Sequence, residues 1–177
     1  MTLQLIKKDG YHINFSCNED ATSNALLMDI QKAFYEYLNE FSLEINNEIW
    51  DYFAVEFWFD SGQLIFFPEK KLDEEPNEYN PLPSDRLDPY LVIRLTSYLS
   101  RYDECIEHDY DVLSENDFED WCLENYRKVF DTVSHVLNEN ILSSFILKSL
   151  NRRTIIFRYF GVTREKIYGE KIITSNS

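Results

Sequence analysis

The residues of this chain that could do chemistry are few and scattered. Cys105, His108, Asp109 and Asp111 lie close together, and Cys122 could approach them. Structural zinc sites are built from two Cys/His pairs at short spacing, and this stretch offers a single Cys-x-x-His. Asp109 and Asp111 begin like a calcium loop, but Leu113 stands where a third oxygen ligand belongs and Ser114 replaces the turn glycine. Neither metal is expected. Three histidines (His12, His108, His135) and three cysteines (Cys17, Cys105, Cys122) permit a Cys–His pair, yet no nucleophile elbow accompanies them. They read as surface histidines and reduced thiols, the cysteines being odd in number and too widely spaced for a disulfide framework. Glycines stand alone at positions 10, 62, 161 and 169, so no loop is made to cradle phosphate. The expectation is a chain without a catalytic site and without a cofactor.

Carboxylates are the dominant feature. The 177 residues hold 32 acids and 17 bases, a net charge of −15. Residues 1–147 carry 30 acids and 10 bases, whereas residues 148–177 carry 2 and 7. Phosphate binding requires Lys and Arg to displace counterions, which makes nucleic acid and anionic membrane poor partners. The tail bases Arg152, Arg153, Arg158, Arg164 and Lys166 are too few to change this, and their expected role is pairing within the protein, or helix C-terminal compensation at Arg152-Arg153. Between Asp103 and Asp120 there are nine carboxylates and no Lys or Arg. Tyr98, Tyr102, Tyr110 and Trp121 interleave with them, and aromatic residues are enriched at the centres of protein interfaces. A solvated loop and helix start would carry the same acids, with Glu115 and Asp117 favouring the helix dipole.

The elements that must position these residues follow from periodicity. Residues 3–16 alternate about an Asp9-Gly10 turn and predict a hairpin. Leu27, Ile30, Phe34, Tyr37, Leu38 and Phe41 recur at three and four residues and predict a helix over 21–41. Residues 50–60 predict a strand with Phe53, Val55, Phe57 and Phe59 on one face and Tyr52, Glu56, Trp58 and Asp60 on the other. Ser61-Gly62 returns the chain into a second strand over 63–67. All five prolines fall between Pro68 and Pro89, among Glu, Asp and Asn, and predict a long loop. Leu91, Leu95, Tyr98, Leu99 and Tyr102 predict a helix over 90–102, although Leu91-Val92-Ile93 could equally start a strand. Ser114 to Asp117 forms a variant capping box, opening a helix with Phe118, Cys122, Tyr126, Val129, Val133 and Val136 on one stripe. Residues 141–150 continue as a further helical piece, 154–160 as a strand, and Ile172-Ile173 as a last short strand.

This order predicts one α+β domain over 1–177, an antiparallel sheet whose strands return by hairpins, with helices packed on one face. A 44% hydrophobic and 16% aromatic composition is sufficient for its core. Lys7 and Lys8 lead into Asp9-Gly10 and not into an apolar run, and no window approaches 18 apolar residues. A cytoplasmic protein without a leader or membrane span is therefore expected.

In its helix Leu26–Phe41, its aromatic hairpin Trp50–Phe67 and its acidic, aromatic stretch 98–126, the chain resembles the immunity proteins that protect bacteria from polymorphic and contact-dependent toxins. The resemblance implies a cytosolic protein that occludes a basic toxin domain, such as a nuclease. Asp103, Glu104, Glu107, Asp109, Asp111, Asp117 and Asp120 would then face the partner's bases, with Tyr110 or Trp121 as the buried anchor. The alternative is an interaction or scaffold module that uses the 68–89 loop as its contact element.

Overall fold

The computed structural model describes residues 3–17, 23–47, 49–58, 61–75, 83–95, 140–150, 154–160 and 167–174. They form strands β1 (Gln4–Asp9) and β2 (His12–Cys17), helix α1 (Ser23–Asn47), strands β3 (Tyr52–Trp58), β4 (Gln63–Lys71), β5 (Ser84–Arg86) and β6 (Tyr90–Leu95), helix α2 (Asn140–Leu150), and strands β7 (Thr154–Phe160) and β8 (Ile167–Thr174). All eight strands belong to one sheet, in the order β1-β2-β6-β4-β3-β7-β8, with β5 beside β4.

The fold is α+β, but the sheet is mixed where the sequence predicted an antiparallel one. Hairpins account for β1–β2, β3–β4 and β7–β8, while β2 pairs with β6, and β3 with β7, in parallel. The physical reason lies in the connections. The chain returns from β2 through α1, and from β6 by way of α2, to a strand running in the same direction, and parallel neighbours require such crossovers. Residues 90–95, predicted as the start of a helix, are strand β6. Its Leu91, Ile93 and Leu95 are fully buried at every second position, the period of a sheet.

The predicted 68–89 loop is entered late, since Pro68 lies inside β4 and β5 occupies three of its last residues. β5 and β6 follow one another along the same edge of β4, joined through a cis Asp88–Pro89 peptide. Leu87 N donates to Pro68 O (3.0 Å) between them, so the two behave as one interrupted strand.

Alternation on the strands and a three-four spacing on α1 build the principal core. Leu26, Ile30, Phe34, Tyr37, Phe41 and Ile45 of α1 and Ile146, Leu147 and Leu150 of α2 share one buried cluster with Ile13, Phe15, Phe53, Val55, Phe57, Leu64, Phe66, Ile155 and Phe157. Burying each large apolar side chain contributes about 1.5–3 kcal/mol. The α1 pattern runs one turn beyond the predicted end: Phe41 has non-helical dihedrals, and Ile45, four residues further on, is also buried. Trp50 Nε1 then donates to Ile45 O (2.8 Å), satisfying a carbonyl that the helix end leaves open. Gly10 and Gly62 turn the first two hairpins with φ of 53° and 54°, left-handed values that glycine adopts without strain.

Among the described residues, no helix is long and apolar enough to cross a membrane. The predicted helix opening at Ser114 lies outside the described residues.

Candidate functional site

The opposite face of the sheet carries the only charged residues that are buried among the described ones: Glu56 on β3, Glu69 on β4 and Arg158 on β7. Each occupies a position that alternation aims away from the α1 core. Around them, Ala54, Phe67 and Ile156 form a second, smaller apolar cluster, with Tyr52, Ile65 and Tyr90 packed against it.

Arg158 Nη1 and Nη2 donate to Glu69 Oε2 and Oε1, both at 2.6 Å, in a planar two-point grip. Nη1 also reaches Glu56 Oε1 at 3.3 Å. Glu56 accepts a further hydrogen bond from Trp58 Nε1 (2.9 Å), and Arg86 Nη2 lies 3.1 Å from its Oε2. The Arg86 guanidinium rests over the rings of Trp58 and Phe67, 5.4 and 5.5 Å from their centroids. Two carboxylates thus meet two guanidinium groups, one fully inside and one, Arg86, with its side chain 41% exposed. Burial in a low-dielectric surrounding pushes the Glu56 carboxyl above its ordinary 4.5, against the opposing pull of Arg86, the Trp58 hydrogen bond and Arg158; Glu69 adds to the rise.

Chemically the arrangement is a clamp. General acid–base work needs a carboxyl within reach of a substrate proton, and both carboxylates have no solvent exposure and accept hydrogen bonds from arginine. The cluster cross-links β3, β4, β5 and β7, whose residues are far apart in sequence. Arg158 pairs within the protein, as expected of the tail bases. Sequence reasoning did not single out Glu56 and Glu69. The signal available was a charge at the centre of an apolar strand, Glu56 within Phe-Ala-Val-Glu-Phe-Trp and Arg158 within Ile-Ile-Phe-Arg-Tyr-Phe.

A smaller polar group sits at the joint between β5 and β6. Tyr37 Oη, buried on α1, donates to Pro89 O (2.7 Å), and burial raises its phenol well above the usual 10.0. His12 Nε2 lies 3.1 Å from Asp88 Oδ1 at the surface, with its ring edge-on to Tyr90. Cys17 is buried, its Sγ 3.5 Å from Asp29 Oδ2.

Comparison with protein-family models, with curated proteins and with solved structures gives no match.

The predicted partner-binding residues Asp103, Glu104, Glu107, Asp109, Tyr110, Asp111, Asp117, Asp120 and Trp121 all lie outside the described residues, as do Cys105, His108, Cys122 and His135. Among the described residues, no group of three or more His, Cys, Asp or Glu side chains could hold a metal ion.

Proposed function

We propose that the chain is a non-enzymatic, cytoplasmic binding protein that captures a basic protein partner and neutralises it, as the immunity proteins it resembles do with toxin domains. The observation that carries this reading is the net charge of −15, in which residues 1–147 carry −20 and residues 148–177 offset it by +5. Such a field accelerates the approach of a cationic protein and opposes acidic competitors. The internal pairing of Arg86 and Arg158 with Glu56 and Glu69 supports it further. Four charged groups cancel on the sheet, so these two arginines do not offset the surface carboxylates. The contact proposed from sequence is the stretch from Asp103 to Trp121, with the carboxylates setting the on-rate and Tyr110 or Trp121 the off-rate.

The test is affinity capture from the native host's lysate at low and high salt, about 0.05 and 0.5 M. The captured protein's activity is then assayed with and without the chain. A basic protein held at low salt, released at high salt and inhibited on binding supports the proposal. A neutral or acidic protein held equally at both salts overturns it. Asp109→Lys with Asp111→Lys is expected to slow association; an unchanged on-rate removes that stretch from the contact.

A further inference from the structure

Strand β5 is the shortest strand of the sheet. It spans Ser84–Arg86, its Asp85 and Arg86 are exposed, and among the described residues it pairs with β4 alone. Its backbone is tied at both ends, by Leu72 N donating to Pro83 O (2.9 Å) and Leu87 N donating to Pro68 O (3.0 Å). Short, exposed segments of this kind open locally at a lower free energy than the sheet itself. The Arg86 side chain links β5 to the sheet interior. Its Nη2 lies 3.2 Å from Glu56 Oε1 and 3.1 Å from Glu56 Oε2, while the guanidinium covers the rings of Trp58 and Phe67.

The charges of this cluster are unequally held. Glu56 and Glu69 face Arg86 and Arg158, two negative groups against two positive ones. Arg158 is almost fully buried and already gripped at two points by Glu69. Protonating Glu56 leaves one positive charge without its counterpart, and the half-exposed Arg86 is the group that can carry it into water. The carboxyl itself stays enclosed when β5 leaves. Its neighbours are Ile65 on β4 and Arg158 on β7 to either side, with Ala54 and Trp58 along β3. Arg86 draws Glu56 toward its ionised form, so by linkage a proton on Glu56 weakens the hold on Arg86 by the same factor. The other groups facing Glu56 do not reverse this sign. Trp58 Nε1 donates a hydrogen bond to it, Glu69 stays with Arg158, and the Tyr90 phenol on β6, raised chiefly by burial, is neutral throughout.

We infer that β5 is an acid-released strap, latched by Arg86 to the ionised Glu56 and opened when Glu56 takes up a proton. Opening withdraws Arg86 from the Trp58 and Phe67 rings and unpairs the edge of β4 from Glu69 to Lys71. An unpaired edge is where a strand from another protein can add to a sheet.

Amide exchange of the full-length chain tests this, with protection corrected for the intrinsic pH dependence of exchange. The amides of Leu87 and Leu72 report the strap, and that of Leu95, which donates to Gly62 O (2.9 Å), reports the sheet. From about pH 7 to about pH 4, protection of Leu87 and Leu72 should fall about fivefold relative to Leu95, the difference between a charged and a neutral hydrogen-bond partner. Glu56→Gln should show the lower protection at both ends of that range. Arg86→Met keeps an apolar stem over the rings and removes the latch. It should lower strap protection in the same way, and the Glu56 carboxyl, followed by ¹³C NMR, should titrate higher than in the parent. Strap protection that holds steady or rises on acidification overturns the inference. So does a Glu56 carboxyl that titrates at the same pH or lower in Arg86→Met, and so does a loss of Leu95 protection in step with Leu87, which would be opening of the whole sheet.

Discussion

Arg158 stands beside Glu56 in the β3–β7 register, yet gives its two shortest hydrogen bonds to Glu69, on the next strand beyond. Glu56 receives a longer contact from Arg158 and depends on Trp58 and the half-exposed Arg86 for the rest. One arginine therefore serves two carboxylates unequally, which is why the better-placed Glu69 and the desolvated Glu56 should respond differently to substitution and to pH.

Replacing Arg158 by Met leaves two buried carboxylates short of a counter-charge and should cost about 3–5 kcal/mol. Pairing it with Glu69→Leu removes the stranded charge as well. In urea unfolding, the double variant should be more stable than Arg158→Met alone. Additive losses would mean that the two residues do not act as a pair.

Glu56 gives a pH signature of defined sign. Its folded carboxyl titrates above the unfolded one, so the folded state holds the extra proton between the two values. Stability from this group is fully present below the unfolded pKa, near 4.5, and is lost as pH rises through the folded pKa. Glu56→Gln cannot ionise. Its stability relative to the parent should rise as pH increases from about 4 upward and level off above the folded pKa. A relative stability that stays flat or falls over that range would contradict the raised value.

Tyr37→Phe tests the joint between α1 and the β5–β6 edge. The substitution keeps the ring, which packs against Phe34, Phe41 and Phe53, and removes only the hydroxyl that donates to Pro89 O. A loss of about 1–3 kcal/mol is expected, because the carbonyl loses its donor in a buried place. Amide exchange should quicken first near Tyr90.

Phe34 is the crossing point of the aromatic core, with rings of Tyr37, Phe53, Phe66 and Phe145 within about 6 Å. Phe34→Ala should cost about 3–5 kcal/mol. Met28→Ser, on the opposite side of the same helix, should change stability by less than about 0.5 kcal/mol. Thermal and urea unfolding of the two variants would compare these faces directly.

Local pattern carried much of the fold. The β3–β4 hairpin was legible from alternating aromatics and Ser61-Gly62, α1 from its stripe, and α2 and β7 from short apolar runs. Strand β6 was misread because Leu91, Leu95, Tyr98, Leu99 and Tyr102 happen to recur at helical spacing, which outweighed the β-branched Val92-Ile93. The parallel pairings were invisible for another reason. His12 meets Tyr90 and Phe53 meets Ile155 across long stretches of chain, and no local spacing encodes such a partner. The buried cluster was legible only in part: Glu56 and Arg158 stand out as single charges in apolar strands, but that they meet each other and Glu69 follows only from the strand register.

The strand order has a consequence for how the chain is made. β6 is inserted between β2 and β4, so the two amino-terminal hairpins cannot share a sheet until residue 95 has left the ribosome. Throughout that interval β2 and β4 each present an unpaired rim, and Phe66 and Leu64 have no cover from Leu91 and Ile93. Rims of this kind recruit neighbouring nascent chains. The segment synthesised meanwhile, residues 72–89, contains Asp73, Glu74, Glu75, Glu78, Asp85 and Asp88 against a single Arg86. Its negative charge would act as a temporary guard, keeping one unfinished polypeptide from zipping onto another until β6 closes the gap.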